Sequence, residues 1–239
     1  MSKHLKRLHA PRPLRLHRKE RVWTIRAAPG PHPKSAAIPV GFLVRDYLHL
    51  CDTYREAKRL ISSGEVLIDG IVRKDMQFPV GLMDIITIPT LKKHYRVFYD
   101  KRGKLAVVPI QSSEATWKLR RIEGKKILRG KRVQLQFHDG ATMIVGKDTY
   151  QSGDVVKVHF EKKKIDTVYP REKGTISLII GGSHIGELAT LESVEQIKSS
   201  KPNVATMKGD HSFITLQDYV FPIGKTKPAI TIPEVKIHD

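Results

Sequence analysis

The chain has 239 residues, and Lys+Arg 43 against Asp+Glu 24 leave a formal net charge of +19 at neutral pH. Its single cysteine, Cys51, excludes an intrachain disulfide framework and a cysteine-based zinc site, which suits a reducing compartment. No apolar run approaches the roughly 18 residues of a membrane span, and the basic start lacks the apolar stretch of a secretory signal. So positive a chain favours nucleic acid as partner over an acidic membrane surface or a role in solubility alone.

The charge is unevenly spread. Residues 1–40 hold ten Lys/Arg against one acid and residues 41–92 hold seven against seven. Residues 93–171 hold nineteen against eight, and residues 172–239 seven against eight. Two strongly basic segments therefore alternate with two nearly neutral ones, and the chain is expected to be modular.

Residues 1–41 read as an extension. Pro11, Pro13, Pro29, Pro31, Pro33 and Pro39 break any long helix, because proline lacks the N–H donor and clashes in a helix interior. Leu5, Leu8, Leu14, Leu16, Val22 and Trp23 are too few to offset the ordering entropy of such a segment. A solvated tail is one outcome. Arginines interleaved with leucine and tryptophan better suit a segment that orders against RNA, where Arg pairs phosphates and stacks on bases. The candidate contacts are Lys6, Arg7, Arg12, Arg15, Arg18, Lys19, Arg21 and Arg26. His4, His9, His17 and His32 fit hydrogen bonds to RNA better than a metal site.

Residues 42–92 carry the clearest local pattern. Phe42, Leu43, Tyr47 and Leu50 recur at helical spacing, and Ala57, Leu60 and Ile61 give a second helix its apolar face. Asp52 or Thr53 suits its N-cap and Gly64 its end. Asp69-Gly70 between two β-rich runs signals a two-residue hairpin, and "IITI" a closing strand. Arg55, Lys58 and Arg59, at i, i+3 and i+4, share one face of the second helix, either merely solvated or a binding surface. Two helices, a DG hairpin and "P.G..D.I.I" resemble the S4-type RNA-binding domain, or alpha-L motif. The resemblance implies RNA contacts by Arg45, Arg55, Lys58, Arg59, Arg73 and Lys74.

In residues 93–171 the runs "YRVFYD", "LAVVPI", "RVQLQF", "ATMIV" and "DVVKVHF" are separated by short glycine-bearing turns, the spacing of a small all-β domain. Residues 118–132, "KLRRIEGKKILRGKR", are too polar to be core and read as a basic loop. Like charges at this density repel one another unless counterions or phosphates neutralise them. Arg120, Arg121, Lys125, Lys126, Arg129, Lys131 and Arg132 are its candidate contacts. His138-Asp139-Gly140 reads as a hairpin turn rather than an acid–base site.

"REKGTISLIIGGSHIGELATLESVE" resembles the KOW motif, a strand–loop–strand unit of ribosomal and transcription-elongation proteins. Gly182 and Gly186 would allow φ > 0 and close approach to a ribose-phosphate chain, with Ser183 and His184 at the loop tip. In order, "HLKRL.AP", "GPH" at 30–32, the S4-type module, "HDG", the KOW-like block and "FPIGKTKPAITIP" resemble the archaeal and eukaryotic small-subunit ribosomal protein S4e family over nearly the whole chain.

That resemblance implies a multi-domain, mainly β protein with a small α+β module. Its parts would be a basic N-terminal extension (1–41), an S4-type domain (42–92), a central β domain (93–171) and a C-terminal KOW-containing, SH3-like β-barrel (172–239). The implied role is a non-enzymatic, cytoplasmic constituent of the small subunit, binding its rRNA and neighbouring ribosomal proteins. No cofactor, metal, membrane or small-molecule substrate is expected. "GKT" at Gly224–Thr226 lacks the glycine five residues earlier that a phosphate-binding loop needs, since Tyr219 stands there. The rival is an RNA-modifying enzyme, such as a pseudouridine synthase, or an assembly factor with an S4-type appendage. An enzyme of that kind needs an α/β catalytic domain that this strand-rich remainder does not supply.

Overall fold

The computed structural model describes residues 4–130, 132–146, 148–161, 164–209 and 211–232. The fold is mainly β and forms two compact units. One runs to Phe98 and takes in Gly103–Lys118; the other holds Tyr99–Arg102 and resumes at Leu119.

The extension is folded. Strand β1 (Leu5–Lys6) pairs antiparallel with β2 (Trp23–Thr24), and Arg7 N donates to Val22 O at 2.9 Å. The guanidinium of Arg18 donates to the carbonyls of Arg7, Leu8, Ala10 and Pro11, drawing the intervening turn together. Leu14, Ile25 and Ala27 are buried, and Leu105 N donates to Pro13 O at 2.8 Å. The segment that suits ordering against RNA thus also has partners within the protein. Its apolar residues cannot form a core alone, but they join one supplied by the module that follows.

That module begins at β3 (Ile38–Pro39), which leads into helix α1 (Val40–Phe42) and a π-helical continuation, Leu43–Tyr47. Helix α2 (Tyr54–Ser62) opens on a capping box: Glu56 N donates to Thr53 Oγ1, and Thr53 N to Glu56 Oε2, both at 3.3 Å. Ala57 and Ile61 are its buried residues, and Gly64, at φ 87°, follows its end. Strands β4 (Leu67–Ile68) and β5 (Ile71–Val72) flank Asp69-Gly70, whose φ values of 52° and 76° are those of a type I′ hairpin turn. Strand β6 (Pro79–Val80) returns to β3. Strands β7 (Ile85–Ile88), β8 (Lys93–Tyr99) and β9 (Leu105–Ile110) complete a sheet of order β5-β4-β7-β8-β9. The β7–β8 ladder carries this sheet past residue 92.

The long strand β10 (Trp117–Ile127) is joined by β11 (Val133–Phe137), β12 (Thr142–Val145), β13 (Val155–His159) and β14 (Ile165–Tyr169), in the order β12-β11-β10-β13-β14. Ile122, Val133, Leu135, Phe137, Val156 and Val158 form its core. The basic loop expected over 118–132 is thus corrected to a strand and hairpin. Ile122 is buried while its neighbours Arg121 and Glu123 are not, because successive side chains of an extended chain face opposite ways. The last sheet comprises β15 (Ile176–Ile179), β16 (Leu188–Glu195), β17 (Val204–Lys208), β18 (Ser212–Leu216) and β19 (Val220–Gly224), in the order β18-β17-β16-β15-β19.

Candidate nucleic-acid interface

Helix α2 places Arg55, Lys58 and Arg59 in solvent while Ala57 and Ile61 anchor its other side. Lys74 is exposed beside the end of this helix, its Cε 3.7 Å from where a Cβ on Gly64 would stand. Arg73 is half-buried, with its guanidinium 4.4 Å from the Phe78 ring centroid. Arg45 Nε donates to Asp46 Oδ2 at 2.8 Å, so part of its charge is answered within the protein. Of the six residues implied by the S4-type resemblance, Arg55, Lys58, Arg59 and Lys74 present exposed charge.

The extension divides in the same way. Lys6, Arg12, Lys19 and Arg21 are exposed, and Arg15 and Arg26 half-buried. Arg7 is buried: its Nη1 lies 3.1 Å from both Glu20 Oε2 and His17 O. Arg7 and Arg18 hold the extension's own fold.

In the second unit, three of the candidates are engaged by the protein. Arg120 pairs with the buried Asp139 at 2.8 Å. Arg121 donates to Glu123 Oε1 and to Asp218 O, each at 2.6 Å. Lys125 reaches Asp148 at 2.6 Å and Tyr150 O at 2.7 Å. Lys126, Arg129 and Arg132 stand exposed on the β10–β11 hairpin, closed by a 2.8 Å bond from Leu128 N to Arg132 O. Lys131 lies outside the described residues.

The KOW-like loop has the expected positive φ at Gly182 (85°) and Gly186 (81°). The close approach, however, is made to the protein itself. A Cβ on Gly186 would meet the Asp100 carbonyl, and one on Gly181 the Tyr219 ring. His184 stacks on Phe213 at 4.0 Å and places Nδ1 3.0 Å from Glu187 Oε2, so this loop-tip candidate is held internally. His138-Asp139-Gly140 is a turn, with Gly140 N donating to Phe137 O at 2.9 Å.

One charged cluster escaped the sequence reading. Lys118, 1% exposed, donates to Asp84 Oδ1 at 2.8 Å and to Asp69 Oδ2 at 2.5 Å, while His32 Nε2 lies 2.9 Å from Asp84 Oδ2. Asp84 Oδ2 also accepts from Gly81 N at 3.0 Å. Burial works to raise the Asp84 carboxyl, but Lys118 and His32 outweigh it and hold the group below the usual carboxylate range. Asp69 is pushed up by burial and by the Asp84 charge. Lys118 opens a run of basic residues, and only its position at the start of a strand distinguishes it from them. Among the described residues, no group of three His, Cys, Asp or Glu side chains is placed to hold a metal ion.

Family models match the chain in three consecutive pieces: an RS4NT domain over residues 1–35, an S4 domain over 46–86 and the ribosomal family S4e over 91–165. A small ribosomal subunit protein eS4 from Archaeoglobus fulgidus is 43% identical over 233 residues, covering 96% of this chain and 97% of its own. The chain belongs to the S4e family. Another relative, the eS4 protein of Methanothermobacter thermautotrophicus, is 41% identical over 233 residues, 97% of this chain and 96% of that one. The crystal structure of the 30S ribosomal protein S4e from Thermoplasma acidophilum matches with a TM-score of 0.70 at 32% identity, covering 80% of this chain and 96% of that one. S4e proteins are structural ribosomal components rather than enzymes, and the S4 domain within them is an RNA-binding module. Membership of this non-enzymatic family sets aside the RNA-modifying-enzyme reading.

Proposed function

We propose that this S4e protein is a structural constituent of the cytoplasmic small ribosomal subunit, binding rRNA and supporting subunit assembly and translation. The observation that carries the reading is the Arg55, Lys58 and Arg59 face: three exposed cations on one capped helix, inside the segment that matches the S4 domain. Such a face neutralises phosphates across an RNA surface, and folded RNA is read largely through shape, phosphates and 2′-hydroxyls.

Two further surfaces extend the contact. Lys6, Arg12, Lys19 and Arg21 line the extension, and Lys126, Arg129 and Arg132 crown the β10–β11 hairpin. The buried or internally paired Arg7, Arg18, Arg120, Arg121 and Lys125 shape these surfaces instead of meeting RNA directly. The last sheet acts as a KOW-type, SH3-like module. Its glycine loop, closed on the protein's own atoms, and the nearly neutral charge of residues 172–239 suit a face toward protein neighbours or solvent.

Sedimentation of a gentle, low-salt lysate on a sucrose gradient tests the reading. Stoichiometric co-migration with small subunits that survives a high-salt wash is the expected result. Recovery mainly in the soluble fraction would favour a transient assembly factor and overturn it.

A further inference from the structure

Trp23 is 56% exposed, although a buried tryptophan would contribute one of the largest apolar surfaces a residue offers. The chain's other tryptophan, Trp117, is 7% exposed and packs near the Arg96 guanidinium, 5.1 Å from its ring centroid. The extension has apolar contacts to offer, and Leu14, Ile25 and Ala27 use them. Trp23 is held away from that core by the β1–β2 ladder, which fixes its register opposite Lys6.

The surroundings of the indole have a definite chemistry. Directly paired residues in an antiparallel ladder project on the same face, so the exposed Lys6 side chain leaves the ribbon on the same side as the ring. His4 tilts against it, with ring centroids 5.5 Å apart. Arg21, two positions earlier, has its side chain 63% exposed. Glu20, the only acid from residue 4 to residue 45, is held by Arg7 at 3.1 Å and lies 3.9 Å from Arg21. An exposed aromatic face rimmed by cations is poorly matched to an apolar protein patch. It fits a nucleobase on the ring with its flanking phosphates on the cations.

We propose that Trp23 is a stacking platform for an unpaired nucleotide of the RNA, with Lys6 and Arg21 taking the adjoining phosphates. Base faces are covered within a duplex, so the ligand is a bulged, looped or terminal base. The proposal rests on the rRNA-binding reading and adds to it a site where unpaired RNA, rather than phosphate charge alone, is recognised.

The test uses the full chain, transcribed small-subunit rRNA as probe, and the variants W117F, W23F and W23L. In W117F the remaining fluorescence comes from Trp23; rRNA should quench it and shield it from acrylamide. W23L should bind rRNA about ten-fold more weakly, the scale of one lost base–aromatic stack, while W23F keeps most of the affinity. Thermal midpoints of W23L and W23F should stay unchanged, because the Trp23 side chain is outside the core. Wild-type affinity in W23L, or an indole equally accessible in free and bound W117F, overturns the platform while leaving rRNA binding intact. Failure of the wild-type chain to bind rRNA overturns both. Hydroxyl-radical footprinting supplies a second readout: protection of Trp23 in assembled subunits but not on rRNA alone would assign the face to a neighbouring protein and overturn the proposal.

Discussion

Lys118 Nζ lies 2.8 Å from Asp84 Oδ1, with both side chains at most 2% exposed. Around this pair, His32 comes from the extension and Asp69 from the hairpin turn. The "GPH" of the extension and the "P.G..D" of the S4-type module, which look like separate markers in sequence, are thus parts of one buried arrangement. Gly81 leaves room for the His32 ring, and Gly30 leaves room for Pro79.

Removing the ammonium should be costly. Lys118→Met leaves the buried Asp84 and the half-buried Asp69 without their shared counter-charge, and a broken buried ion pair costs about 3–5 kcal/mol. Urea unfolding should show that loss as a lower midpoint with little change in slope. Combining Lys118→Met with Asp84→Asn should cost less than the two single changes added together, since the variants share one network.

Acid should weaken the first unit through the same residues. The folded Asp84 carboxyl sits below its unfolded value, so its contribution is complete above the unfolded range near pH 4 and is lost as pH falls toward the folded value. Asp69, shifted upward, acts in the opposite sense, its contribution being lost as pH rises through its folded value. Below about pH 4 Asp69 is protonated in both states and Asp84 alone sets the sign, so unfolding free energy should fall as pH drops further, while above that range Asp69 works the other way. Asp84→Asn, less stable at neutral pH, should show a shallower acid limb.

Gly81→Ala should destabilise by about 1–3 kcal/mol, because its methyl group would occupy the space of the buried His32 ring. Combining it with His32→Ala should recover part of the steric loss. A double-mutant cycle in thermal unfolding checks this, and strict additivity would count against the interlock.

Arg55→Ala with Arg59→Ala should leave the thermal midpoint unchanged and weaken rRNA binding. If each arginine neutralises one phosphate, the slope of log affinity against log salt should shrink in magnitude by about 1.4–1.8. Arg7→Ala is the contrasting control. It removes the buried partner of Glu20 and of the His17 carbonyl, so it should lower stability with far less effect on the slope.

Much of the architecture was legible because it rests on local rules. The Thr53 cap, the Gly64 terminator, the Asp69-Gly70 turn and the "IITI" strand follow from φ preferences and side-chain periodicity within a few residues. The order of the extension was not legible, because it rests on pairings with distant residues, such as Leu105 N with Pro13 O and Ala28 N with Gln77 O. Nor was the division of labour among the cations. Arg120 and Arg121 are adjacent and chemically identical, and both are taken up by acceptors 19 and 97 residues away, Asp139 and the Asp218 carbonyl. Charge counts locate a basic segment; only the fold says which charges are already answered.

The ion quartet also sets when folding can finish during synthesis. Asp84 has His32 behind it in the chain and Lys118 34 residues ahead. Until Lys118 leaves the exit tunnel, seconds later at about 5–20 residues per second, Asp69 and Asp84 cannot be buried together without facing each other's charge. The nascent extension therefore enters the cytosol with its lysines, arginines and tryptophan in place but its anchor incomplete. A fragment cut at residue 92, where the helices and hairpin of the S4-type module are complete, would carry both aspartates and lack the one ammonium that permits their burial. A stretch that runs through Lys118 should therefore resist protease better than one cut at residue 92.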